Sequence, residues 1–218
     1  MTLKLDLSAA DLAALLCSKV CHDVISPVGA LNNGLELLDE GGASDDALDL
    51  VRSSARTASA RLQFCRLAFG ASGSAGAHID TGDAQKVAEA YFEDERADLV
   101  WASRDRRLLP KNKVKLLLNL LLIAAAAIPR GGTLTLTMEG ADEDVAFRLH
   151  SEGKRVRIPV AFDEMMDGDL PENGVDAHVV QPYYTMLLAR EAGMALGVEL
   201  GETDVTITAA PEAMRAAA

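Results

Sequence analysis

The sequence is short of cysteine, of positive charge and of long apolar runs, and each shortage removes a class of protein. Cys17, Cys21 and Cys65 are the only thiols among the 218 residues. An odd set with two members one helical turn apart does not make a disulfide framework. Cys17, Cys21 and His22 do not read as metal ligands either, because Cys21 and His22 are neighbours that point about 100° apart on a helix; the cysteines read as small hydrophobes. Lysine and arginine number 21 against 33 aspartates and glutamates, a formal charge of −12. A phosphate backbone is repelled by such a surface, so no nucleic acid partner is expected. Uncharged apolar runs of the roughly 18 residues that would signal a membrane span are missing; the nearest, Leu116 to Ile128, has 13 residues. The opening "MTLKLDLSAADL" carries acids where a secretory leader needs a basic region and an apolar core. No membrane partner and a cytoplasmic location are therefore expected.

What is present divides in two. "GASGSAGA", residues 70–77, is a run of small residues between patterns of different period and reads as a linker. It separates a helical unit, residues 1–73, from a mixed unit, residues 77–218. A helix is predicted over 8–40, with Ser8 as N-cap and Asp11 in its first turn. Along it Val20, Val24, Pro27, Leu31, Gly34 and Leu38 fall within roughly 40° of one line, the expected buried seam. "DEGGASDD" breaks this helix, its glycines ending one element and Ser44 starting the next. The second helix, about 44–69, repeats Leu48, Val51, Ala55, Ala58, Leu62, Cys65 and Phe69 in heptad spacing. Two such helices make an antiparallel hairpin, and one hairpin alone cannot cover both seams. A homodimer closing a four-helix bundle is expected.

Beyond the linker the pattern predicts a short strand at 77–81, a helix at about 83–95 and a strand in "ADLVWAS". A helix follows between Pro110 and Pro129. Strands are then expected in "GGTLTLTME", "DVAFRLHSE" and "KRVRIPV", a helix at 179–194, strands at 196–201 and 203–209, and a frayed helix after Pro211. Helices and strands in this order suggest an α/β sandwich with helices on one face of a sheet, and the whole chain is of the α+β class.

His22 is the histidine with unusual surroundings. It lies about 160–200° round the helix from Val20 and Val24, so its ring should project into solvent, on a face shared with Lys19, Ser26, Gly29 and Asn33 and close to Ile25. Imidazole titrates near pH 6.5, which leaves an exposed ring largely neutral and nucleophilic in the cytoplasm. Asp23 can accept a hydrogen bond from one ring nitrogen, fixing the tautomer and stabilising positive charge as the other attacks. Pro27 removes a backbone N–H and should loosen the helix beside the ring. His78, His150 and His178 are expected to be structural, Tyr91, Phe92 and Trp101 to lie in the core, and Asn119 to be a surface or cap-bonding residue.

"HDVISP", from His22 to Pro27, resembles the phosphoacceptor box of two-component histidine kinases, which sits on the first helix of a dimeric hairpin. "KVKLLLNLLLIAAAAIPRGGTLTLTM" is similar to the N-box helix, loop and Gly-Gly strand start of their Bergerat-type ATP-binding domain. The resemblance fails where nucleotide would be held. Ile123 stands where the second N-box asparagine would ligate magnesium, and an alkyl group cannot ligate a hard cation. Ser151 and Arg155 replace the Asp and second Gly of the adenine motif, and Tyr183 and Tyr184 occupy the region of the phosphate loop. A histidine hairpin joined to such a degenerate domain resembles the ChpT family of histidine phosphotransferases, essentially over the whole chain.

That resemblance implies a phosphorelay intermediate. The donor would be the receiver domain of a hybrid histidine kinase, and the acceptor the receiver of a response regulator. His22 would carry the phosphoryl group with Asp23 beside it, and Lys19, Ile25, Ser26 and Gly29 would lie at the docking face. No cofactor is expected on this chain, magnesium coming with the receivers, and the second domain would help hold the receiver. A divergent ATP-dependent kinase and a non-catalytic receiver-binding adaptor remain the alternatives.

Overall fold

The computed structural model describes residues 6–40, 45–70, 78–140, 144–172 and 174–212. The predicted linker, the glycine break with Ser44 and the tail after Pro211 fall wholly or largely outside these residues. The chain begins with two long helices, α1 (Ala9–Asp39) and α2 (Asp45–Ala68). Ser8 caps α1 as expected, its hydroxyl accepting from the Asp11 N–H at 3.1 Å. Gly34 faces Ala47 and Val51, while Asp23 faces Arg61, so the helices run antiparallel. A Cβ on Gly34 would stand 2.8 Å from Val51 Cγ2, which is why glycine serves at this crossing.

The seam of α2 differs from the one the heptad pattern suggested. Ala47, Ser54, Ala58 and Cys65 are buried, whereas Leu48, Ala55 and Leu62 are exposed. Small side chains let the backbones approach, so they take the inner line and leave the leucines on an outward stripe. Val28 and Leu35 make a matching exposed stripe on α1. Pro27 lies inside α1 without ending it. The bond it forfeits is the one to the Asp23 carbonyl one turn back, and Arg61 of α2 fills that vacancy, its Nη1 donating to the Asp23 carbonyl at 2.8 Å.

The second half begins with β1 (His78–Asp80), α3 (Thr81–Phe92), β2 (Ala97–Trp101) and β3 (Leu108–Pro110). It continues with α4 (Lys111–Ala126), β4 (Gly132–Glu139), β5 (Ala146–Gly153), α5 (Val160–Asp167) and α6 (Val180–Glu191), and closes with β6 (Met194–Leu200) and β7 (Asp204–Pro211). β2, β4, β5, β7 and β6 form one sheet in that order, β2 and β4 parallel and the other neighbours antiparallel; β1 and β3 pair separately. Leu134, Leu136 and Met138 of β4 point into the core and Thr133, Thr135 and Thr137 away from it, the alternation of a sheet covered on one face. α4 is the covering helix, buried nearly all round. The mixed α+β architecture, with its helical hairpin and one-sided sheet, is the one expected.

"KRVRIPV" is not a strand. Both sides of β5 are already taken by β4 and β7, so the segment has no free edge beside β5 to join. It docks instead on the end of α4, Arg157 N–H donating to the Ala127 carbonyl at 3.0 Å, and Pro159 then stands at the N-cap of α5. The short β3 and α5 were not anticipated.

The hairpin packs on the second half through several side chains. Phe64 meets Tyr91 at 4.4 Å between ring centroids, and Arg61 Nη2 reaches Glu95 at 3.0 Å. Asn119 is fully buried rather than on the helix surface. Its amide donates to the carbonyl of Ala68, the last residue of α2, at 3.2 Å, and its own oxygen and carbonyl accept from Gln181 of α6.

Candidate functional site

His22 lies near the middle of α1 with its side chain 73 % exposed. Round the helix axis, at about 100° per residue, three sectors divide the work. Pro27, Leu31 and Gly34 turn to α2, and Val28 and Leu35 to the outward apolar stripe. Ile25, Ser26 and Gly29 share the solvent side with His22. Ile25 is 70 % exposed, and nothing stands within 4 Å of where a Cβ on Gly29 would be. The open, small-residue approach expected around the ring is therefore present.

Asp23 and Lys19 lie on the side turned toward the second half and are largely buried. Asp23 Oδ1 stands 3.5 Å from His22 Nδ1, a distance long for a hydrogen bond and short for a charge that orients a ring. Its other oxygen accepts from Lys19 Nζ at 2.6 Å. Lys19 is thus committed to the carboxylate rather than left free beside the imidazole. With Nδ1 turned to Asp23, Nε2 is the nitrogen left toward solvent.

His178, which no pattern in the sequence separates from the other histidines expected to be structural, stands against this site. Its ring centroid is 5.8 Å from that of His22, with the planes 77° apart. No local signal announces it, because the contact exists only when the turn before α6 packs beside α1. His150 does keep a structural place, bonded to Thr206 at 2.9 Å. Trp101 and Phe92 are buried core residues, as expected.

Beside His178 lies a cavity of about 440 Å³ whose walls also include Lys19, Ile123, Arg157 and Gln181. The positions that depart from the kinase pattern have partners inside the protein. Ile123 is buried. Ser151 donates to the Ala124 carbonyl at 3.1 Å, a bond that a carboxylate at that position could not make. Tyr183 is buried with its hydroxyl accepting the Leu7 N–H at 3.0 Å. Tyr184 packs against Phe69, and burial, aided by Glu191, raises its pKa above the usual tyrosine range.

Residues 81–204 match the family model of the histidine phosphotransferase C-terminal domain. Protein phosphotransferase ChpT of Brucella abortus (strain 2308) is 58% identical over 209 residues, 96% of this chain and 100% of that protein. The chain belongs to the histidine phosphotransferase family. A solved structure of a bacterial phosphotransferase agrees in three dimensions, with a TM-score of 0.89 at 57% identity, covering 95% of this chain and 100% of its own. As a histidine phosphotransferase the chain is a phosphorelay protein whose partners are receiver domains.

Proposed function

We infer that His22 is the residue through which this histidine phosphotransferase relays the phosphoryl group. The observation that carries the reading is an imidazole 73 % exposed on one side of α1 with its Nδ1 turned to a carboxylate. The lone pair on Nε2 attacks phosphorus of a receiver's aspartyl phosphate, the P–O bond to the aspartate breaks, and the carboxylate leaves with the electron pair. Asp23 balances the charge gained by the ring and holds the proton on Nδ1. In the second transfer an aspartate oxygen of another receiver attacks phosphorus and the pair returns to Nε2. Such chemistry asks for placement and charge more than for covalent machinery.

Ile25, Ser26 and Gly29 form the docking face, and Lys19 acts through Asp23. The donor is the receiver of a hybrid histidine kinase and the acceptor that of a response regulator, each bringing its own magnesium. ATP is not a substrate: Ile123, Ser151 and Tyr183 take up the nucleotide positions with side chains that are buried. Residues 1–73 serve as the phosphoacceptor and dimerisation unit and residues 77–218 as a support that helps hold the receiver. The exposed stripes of Val28, Leu35, Leu48 and Leu62 are covered by a second copy in a four-helix bundle. α1 is long and apolar enough by length and composition to cross a membrane, but it carries Lys19, His22 and Asp23 and packs along α2, which favours a cytoplasmic hairpin.

The test is a transfer assay with receivers phosphorylated by acetyl phosphate. Wild-type chain is expected to take label and pass it to a second receiver, His22→Ala to take none, and γ-labelled ATP with magnesium to leave both unlabelled. Label from ATP on His22 would make the protein a kinase; receiver binding unchanged in an unlabelled wild type would make it an adaptor.

A further inference from the structure

We propose that His178 is a second imidazole of the phosphotransfer site, donating a hydrogen bond to the oxygens of the phosphoryl group carried on His22. The proposal rests on the assignment of His22 as phosphoacceptor. Three features of the structure carry it.

The first is placement. The two ring centroids are 5.8 Å apart and the rings nearly perpendicular. A phosphoryl group on Nε2 of His22 spreads three oxygens into the space beside that ring, within reach of an N–H on the edge of the neighbouring imidazole. Both residues are exposed, so an incoming receiver meets them together.

The second is that His178 is held. Asp176 Oδ1 accepts the N–H groups of His178 at 2.8 Å and Val179 at 3.1 Å, and the Asp176 carbonyl accepts from Val180 at 2.9 Å. Those backbone bonds hold the Asp176 carboxyl below its ordinary range. Immediately after, Val180, Gln181, Pro182 and Tyr183 are buried, and Tyr183 is tied to the start of the chain through Leu7. A donor on a fixed turn needs little reorganisation when charge arrives.

The third is need. The transferring group carries negative charge, and the cation on the helix beside His22 is already engaged, Lys19 with Asp23 at 2.6 Å. Among the described residues that face the gap between the rings, His178 offers a donor from the opposite wall. Bond-making at phosphorus is unchanged: the N–P bond forms as the aspartyl P–O bond breaks, and His178 keeps its proton throughout.

Phosphoramidate, a small phosphoryl donor to imidazole, tests this on the full chain without a receiver. The rate of phospho-His22 formation and its ³¹P resonance are compared in wild type, His178→Ala, His178→Phe, which keeps a ring without a donor, and His178→Gln, which keeps a donor without a ring. His22→Ala identifies the resonance. Ala and Phe are expected to slow uptake about ten-fold and to move the resonance, less than the roughly 10²–10³-fold of an enclosed oxyanion donor because this site is open to water. Gln should recover most of both. Wild-type rates and an unmoved resonance in Ala and Phe, or recovery by Phe and not by Gln, would overturn the proposal and leave His178 a packing ring. Phosphorylated receivers that label the wild-type chain somewhere other than His22 would instead overturn the assignment of the phosphoacceptor, a separate outcome.

Discussion

At His22 the outcome is set by what each ring nitrogen faces. Asp23 takes Nδ1 and is itself neutralised by Lys19, so the site holds its orienting charge without an unpaired ion in a largely buried place. The same carboxylate reaches a third group. Burial, followed by Asp23, pushes the thiol of Cys65 on α2 up from the ordinary 9.0 to about 11. Cys65 is therefore a neutral packing residue, while Cys17 and Cys21 are exposed. Iodoacetamide at pH 8 is expected to modify Cys17 and Cys21 and to spare Cys65 until the chain unfolds, as peptide mass mapping would show. The sign for stability follows from linkage. Between pH 9 and about 11 the unfolded thiol loses its proton before the folded one, so stability falls as pH rises through that window. Cys65→Ala should remove the decline that begins near pH 9 in denaturant titrations. A further decline from about pH 10 belongs to Tyr91 and Tyr184, whose hydroxyls burial also pushes up.

For the helices, the proline at position 27 has a consequence that its sequence position alone does not disclose. It frees the Asp23 carbonyl, and Arg61 occupies it while also pairing with Glu95 beyond α3. One guanidinium thus links the turn that carries His22 and Asp23, α2 and the second half. Arg61→Ala is expected to cost about 1.5–3 kcal/mol, the range for a hydrogen bond involving a charged group, and to slow transfer. Adding Pro27→Ala to that variant gives the Asp23 carbonyl a helical N–H again and should return part of the stability. A double-mutant cycle by chemical denaturation measures the coupling, and strict additivity would remove the link. The α1 cap at Ser8 and the exposed ring of His22 were legible in the sequence because both follow from local spacing. The inner line of α2 was not. A heptad supplies two adjacent stripes, and only contact with α1 reveals that Ala47, Ser54 and Ala58 lie inside while Leu48, Ala55 and Leu62 lie outside. "KRVRIPV" failed similarly: its apolar alternation is real, but the sheet has no edge beside β5 to receive it.

For the whole molecule, the outward leucines predict assembly. Leu62→Glu combined with Val28→Glu is expected to halve the mass seen by light scattering while leaving the circular dichroism of the helices largely intact; an unchanged mass would mean that another surface joins the copies, or that none does. The buried Asn119 amide, which ties the end of α2 to α6 through Gln181, shows how the two halves hold one orientation. That orientation places His178 beside His22.

The sequence by itself determined the helical hairpin, the α+β class and the outward ring of His22 with Asp23 at its side. All of these depend on residue type and on spacing within a single element, where periodicity is enough. Tertiary structure alone decided that Asn119 is buried as a link rather than displayed, and that a second histidine stands across from the first. Those two depend on the docking of one half against the other, and contacts between residues so far apart in the chain leave no periodic trace in it.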